Sequence, residues 1–142
     1  MSTSAEHLLL DTSTAIAYVS ADNPLRPVVR RRVDGARLGM AGHAFVEFVA
    51  VTTRVAPPQR ISGLQAVELL DHHFSESRFL SPERQPEIVR ELVRRGILGG
   101  SLYDGLVGAA AREHGLTLLT ADRRATPTYD ALGVRYELLR AA

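Results

Sequence analysis

Residues 101–124, SLYDGLVGAAAREHGLTLLTADRR, constrain the fold more than any other stretch of the chain. They read as a helix over residues 101–114, a stop at Gly115 and a short apolar strand over residues 116–120. Glycine closes a helix because it takes the left-handed conformation without penalty. A strand as apolar as LTLLT is of the kind buried in a parallel sheet. Helix-then-strand is half of a βαβ unit, so the sequence before it must supply further parallel strands. Asp104 falls in the first turn of this helix, and Asp122 just past the carboxyl end of the strand. In open α/β sheets ligand chemistry gathers at that end.

The rest of the chain supplies the other strands. Residues 7–10 form a short apolar strand ended by Asp11, which opens a helix through Val19. Taken alone, Asp11 is a helix N-cap, and a carboxylate there can also serve a site. After the break at Asp22-Asn23-Pro24, a second helix runs to about Val33 and ends in Arg30-Arg31-Arg32, read as a solvated basic face. Residues 38–41 make the second strand. Residues 42–55 make a third helix, apolar on every side of Glu47. A helix apolar all round is buried, and an ionised carboxylate in it needs a partner or a metal. Ser62 with Gln65 forms a capping box, opening a fourth helix on which His73 packs and His72 faces solvent. Residues 78–80 are a weak third strand, residues 82–95 an amphipathic helix, and residues 134–138 the last strand. Ser101 and Asp104 also fit a cap pattern, and Asp122 a plain turn residue.

Composition sets limits on the chemistry. The 142 residues are expected to form one domain with a real core. There is no cysteine, which excludes disulfides, thiolate metal sites and cysteine nucleophiles, and which fits a cytoplasmic protein. No run is long and apolar enough to span a membrane. The net charge of +1 gives no global pull towards nucleic acid. All 17 basic residues are arginine, so a Walker A loop and Schiff-base chemistry are excluded, and any grip on phosphate must come from arginine.

Asp11 and Asp122 thus sit at strand ends, with Glu47 and Asp104 on helices at the same edge. Four converging carboxylates raise one another's pKa and call for a cation. An all-oxygen donor set favours Mg²⁺ or Mn²⁺, and such ions commonly serve phosphate substrates. The chemistry this points to is metal-assisted phosphodiester hydrolysis.

These residues resemble the PIN-domain family, and more closely its VapC-type ribonuclease toxins of bacterial toxin–antitoxin pairs. The resemblance rests on Asp11 in LLLDTS, Glu47 in the third helix, Asp104 in LYDGLVGAAA and Asp122 in LLTADRR, and it spans nearly the whole chain as a single PIN-like domain, 1–142. It implies a three-layer, Rossmann-like α/β fold, with a central parallel sheet of about five strands in the order 3-2-1-4-5, flanked by helices. It implies an endoribonuclease whose catalytic, metal-binding acids are Asp11, Glu47, Asp104 and Asp122, holding Mg²⁺ or Mn²⁺, with Ser13 and Thr120 as supporting hydroxyls. It further implies an RNA substrate, a cognate VapB-type antitoxin that places a basic side chain at the acids, and a homodimer. His43 stands where the family would carry a small or hydroxylated residue, which bears on the rim of the site. One of Arg123 and Arg124, which follow Asp122 directly, is expected to contact RNA phosphate, the alternative being a solvated pair. The rival reading is a non-catalytic binding module whose acidic pocket receives a basic side chain from another protein. A haloacid-dehalogenase phosphatase needs an aspartate where Ser13 stands, a receiver domain needs a lysine, and a dinucleotide-binding domain needs a glycine fingerprint after the first strand.

Overall fold

The computed structural model describes residues 5–141. Its centre is a parallel sheet built from the shortest apolar runs of the chain. Strand β1 is His7–Leu10, β2 is Arg37–Met40, β3 is Thr117–Thr120 and β4 is Tyr136–Leu138, in the order β2-β1-β3-β4. Leu8, Leu9 and Leu10 are wholly buried, as expected of a central strand covered on both faces. The register sets Leu10 beside Met40 on one side and Leu119 on the other, so β1, β2 and β3 end level with one another. That shared edge places Asp11 next to the start of α3 and the turn after β3.

Among the described residues, seven helices flank the sheet: α1 (Thr12–Val19), α2 (Arg26–Val33), α3 (Ala44–Thr52), α4 (Gly63–His73), α5 (Arg84–Arg94), α6 (Ser101–His114) and α7 (Thr126–Leu132). They pack in two groups, α1 on α2 and α3 with α4 on α3, and α6 between α5 and α7. Their ends follow local chemistry. Asp11 caps α1, Ser62 and Gln65 form the reciprocal capping box of α4, and Gly115 closes α6 at φ 65°.

Three expectations are corrected. The sheet has four strands among the described residues, and the weak strand at residues 78–80 is present only as bridges from Ser75 to Gly39 and from Arg78 to Ala41. The segment cannot lie flat as a fifth strand, because the Met40 N–H is taken by the Ser77 hydroxyl at 2.8 Å and not by a backbone carbonyl. It still covers the free edge of β2, where the expected fifth strand would lie. Secondly, α3 is not buried all round. Ala44, Phe48 and Thr52 form its one buried stripe, while Val46 is 60% exposed. Thirdly, the Arg30–Arg32 run is not simply a solvated face. Arg30 lies 4.2 Å from the centre of the Tyr18 ring and donates to the Tyr18 carbonyl. Arg32 forks between Glu137 at 2.7 Å and Glu6 at 3.0 Å, tying α2 to the two ends of the sheet's chain.

Candidate active site

Asp11 is the fixed point of the site. Its backbone N–H donates to the Leu119 carbonyl at 3.1 Å, so β3 pins the residue just beyond β1. Its side chain is almost completely buried, with 5% of the residue exposed. Oδ1 accepts from the Ser13 hydroxyl at 2.6 Å, from the Thr14 N–H at 3.1 Å and from the Thr14 hydroxyl at 3.2 Å. Burial pushes the Asp11 carboxyl above the usual carboxylate range, against hydrogen bonds from Ser13, Thr120 and Thr14 that favour the charged form. The carboxylate therefore caps α1 with one oxygen and turns Oδ2 towards the Tyr129 hydroxyl, which donates to it at 3.4 Å.

Ser13 and Thr120, the expected supporting hydroxyls, both stitch strand ends together. Ser13 donates to Asp11 and accepts the Ala121 N–H at 2.8 Å, so it bridges the ends of β1 and β3. Thr120 is fully buried and accepts the Asp122 N–H at 3.0 Å. Asp122 in turn caps the 3₁₀ turn Arg123–Ala125, its Oδ1 accepting the Arg124 N–H at 2.9 Å. The plain turn role is thus real for one oxygen of Asp122 and leaves the other free.

Glu47 is half-buried one turn into α3, and its Oε1 accepts the Thr12 hydroxyl. Asp104 differs from the other three acids. The cap expected from Ser101 and Asp104 does not form: Gly100 occupies the N-cap of α6 with no side-chain hydrogen bond. Asp104 is left half-buried with no hydrogen-bond partner among the described residues. Its carboxyl is pushed up to about 6, first by burial, then by the charges of Asp122, Glu47 and Asp11. The four acids are therefore electrostatic neighbours. Among the described residues, no three acidic or histidine side chains stand close enough to share one ion directly. The donor set nonetheless fits Mg²⁺ or Mn²⁺, because Mg²⁺ takes one or two carboxylates directly and completes its shell with water. The remaining acids would act through that water.

Sequence reading missed three residues here. Thr12 orients Glu47, Thr14 holds Asp11 and also donates to the Leu119 carbonyl at 2.9 Å, and Tyr129 closes the floor. The DTST run carries the signal for Thr14, since a hydroxyl in the first turn after a capping aspartate can reach it, whereas Thr12 meets Glu47 only across the fold. Tyr129 lies 118 residues from Asp11 and gives no local signal. Burial first, and the neighbouring Asp11, Asp104 and Asp122 after it, hold its phenol far above the ordinary tyrosine range, so it stays a donor. Arg123 and Arg124 are exposed beside Asp122, and neither side chain is engaged among the described residues.

The chain and its fold have known relatives. The family model described as "PIN domain" matches residues 8–130. Ribonuclease VapC27 of Mycobacterium tuberculosis is 34% identical over 127 residues, 89% of this chain and 93% of that protein. Ribonuclease VapC40 of the same species is 36% identical over 132 residues, 91% of this chain and 96% of that protein. Among solved structures, VapBC2 from Rickettsia felis bound to a promoter DNA fragment superposes with a TM-score of 0.67 at 12% identity, covering 94% of this chain and 99% of that one. DNA-bound VapBC from Salmonella typhimurium gives 0.63 at 22% identity, with 94% and 98% covered. These two share the fold.

Proposed function

The chain belongs to the PIN-domain family, and on that premise we propose that it is a metal-dependent endoribonuclease, the toxin of a toxin–antitoxin pair. The single observation that carries this reading is Asp104. A half-buried carboxylate with no hydrogen-bond partner among the described residues, raised first by burial and then by three neighbouring acids, is costly unless a cation offsets it.

In this reading Asp11, Glu47, Asp104 and Asp122 would hold Mg²⁺ or Mn²⁺. Such an ion, when bound, polarises a phosphodiester and acidifies water. The chain's own residues do the positioning. Ser13 and Thr14 fix the rotamer of Asp11, Thr12 fixes Glu47, and Thr120 sets the turn that presents Asp122. Tyr129 keeps its proton and donates a 3.4 Å hydrogen bond to Asp11 Oδ2, an interaction that favours the charged carboxylate against its burial. Arg123 and Arg124 contact RNA phosphate beside the acids. Replacing both with alanine is expected to weaken RNA binding and to flatten its salt dependence by about 1.4 in the log–log slope, since each single-strand phosphate contact contributes about 0.7. An unchanged slope would remove them from the interface.

A VapB-type antitoxin is the expected partner, its basic side chain entering the acid cluster, and the VapBC assemblies named above support this. A homodimer is the expected assembly and the cytoplasm the expected place of action. Among the described residues no helix is long and apolar enough to cross a membrane.

The test is cleavage of total cellular RNA by the purified, antitoxin-free protein with Mg²⁺, with Mn²⁺ and with excess EDTA. Wild type should give discrete fragments that EDTA abolishes, and Asp104→Asn should be slower by about 100-fold or more. Equal cleavage by the variant would reject the site. No cleavage under either metal would favour the non-catalytic binding module.

A further inference from the structure

Beside the acids lies an aromatic pair that the proposed chemistry does not use. The rings of His43 and Tyr103 stack with centroids 4.8 Å apart and planes 20° apart. His43 is one helical turn before Glu47, and Tyr103 is the residue before Asp104. The pair therefore joins the amino-terminal turns of α3 and α6, the two helices that carry half of the acid cluster. Neither ring has a hydrogen-bond partner among the described residues, and Tyr103 is 52% exposed. His43 also lines a cleft of about 190 Å³ with Val46, Phe79, Gln85 and Leu106.

We propose that the His43–Tyr103 pair is a stacking platform for an unpaired nucleobase next to the phosphate that is cleaved. The inference rests on the ribonuclease reading and adds how the RNA is held. Its physical basis is a division of labour. The acids repel the phosphates of RNA, so a contact that carries no charge adds affinity there beyond what Arg123 and Arg124 supply. A half-exposed aromatic ring, backed by a second ring that holds it flat, offers that contact to any base. Base-on-aromatic stacking tolerates every sequence because every base has a π-face. It requires a base that is free of its own stack, so the platform selects single-stranded loops over duplex. His43 acts as the brace: without it, Tyr103 keeps its ring but loses its fixed plane.

The test is a binding titration with single-stranded octaribonucleotides of random sequence, each carrying one 2-aminopurine. It uses full-length Asp104→Asn with Mg²⁺, so that binding is read without cleavage. The probe's fluorescence should be quenched on binding, and a duplex of the same length should quench little. Adding Tyr103→Ala should abolish the quench and weaken binding by roughly tenfold, the value of one stacked base. Tyr103→Leu keeps apolar bulk without a flat ring and should behave like the alanine variant, whereas Tyr103→Phe should behave like the parent. His43→Ala should fall between them. A purely structural role for Tyr103 would let Tyr103→Leu retain the quench, and that result overturns the platform. Cleavage by the otherwise wild-type enzyme, with binding and quench unchanged by Tyr103→Ala, also overturns it while leaving the ribonuclease reading intact. If Tyr103→Ala instead weakens only antitoxin binding, the pair is a protein contact and the proposal is wrong. Failure of the wild-type protein to bind or cleave RNA at all would remove both readings together.

Discussion

Asp104 shows how a candidate site residue stands out by what it lacks. Its carboxyl sits at about 6 in the folded chain against an ordinary value of 3.8, with burial the largest cause. A raised carboxylate holds its proton longer in the folded state than in the unfolded one. Between those two values the folded state therefore binds more protons, and stability falls as pH rises through the window. In EDTA, Asp104→Asn should melt higher than wild type at pH 7 and equal to it near pH 4. A thermal melt series over that range checks the sign, and a variant less stable than wild type at pH 7 would contradict it. Around the acids, Ser13→Ala and Thr12→Val should each slow cleavage by about 10- to 100-fold, as loss of a partner that orients a metal ligand typically does. All four acids stand in short sequence contexts that were readable without a structure. Their hydrogen bonds were not, because Thr12 meets Glu47 and Tyr129 meets Asp11 only across the fold.

At the scale of elements, the sequence was most informative where a chemical punctuation mark ends a periodic run. The capping box at Ser62 and Gln65, the Asp11 cap and the Gly115 stop all sit where the residues place them. It was least informative where tertiary packing overrides pattern. α3 is as apolar as a buried helix, yet it exposes Val46, and residues 75–80 meet the edge of β2 at isolated bridges without forming a regular strand. Gly39 is the reason that close approach is tolerated. A methyl group there would meet the Glu76 carbonyl oxygen at 2.0 Å. Gly39→Ala should therefore destabilise the protein by about 1–3 kcal/mol, the usual cost of overpacking, measured by urea denaturation. A neutral result would mean that the 75–80 segment does not seal the edge.

The whole molecule reads as a scaffold that brings three strand ends and two helix starts to one edge. Glu6, Arg32 and Glu137 fasten that scaffold on the opposite side, linking the approach to β1, the end of α2 and β4. Hydrogen bonds from Arg32 hold both Glu6 and Glu137 below the ordinary carboxylate range. Their contribution is therefore present at neutral pH and lost as pH falls through those lowered values. Arg32→Ala should cost about 1 kcal/mol, less at high salt, with metal-dependent cleavage unchanged. The central claim is that four acids from distant parts of the chain make one metal site. Titrating Mn²⁺ into the antitoxin-free protein, and following the loss of the free-ion EPR signal, tests it without any RNA. Saturable binding is predicted for wild type, weakened at least about tenfold by changing Asp11, Asp104 or Asp122 to asparagine or Glu47 to glutamine. No saturable binding by wild type, or binding that none of the four changes weakens, would contradict it.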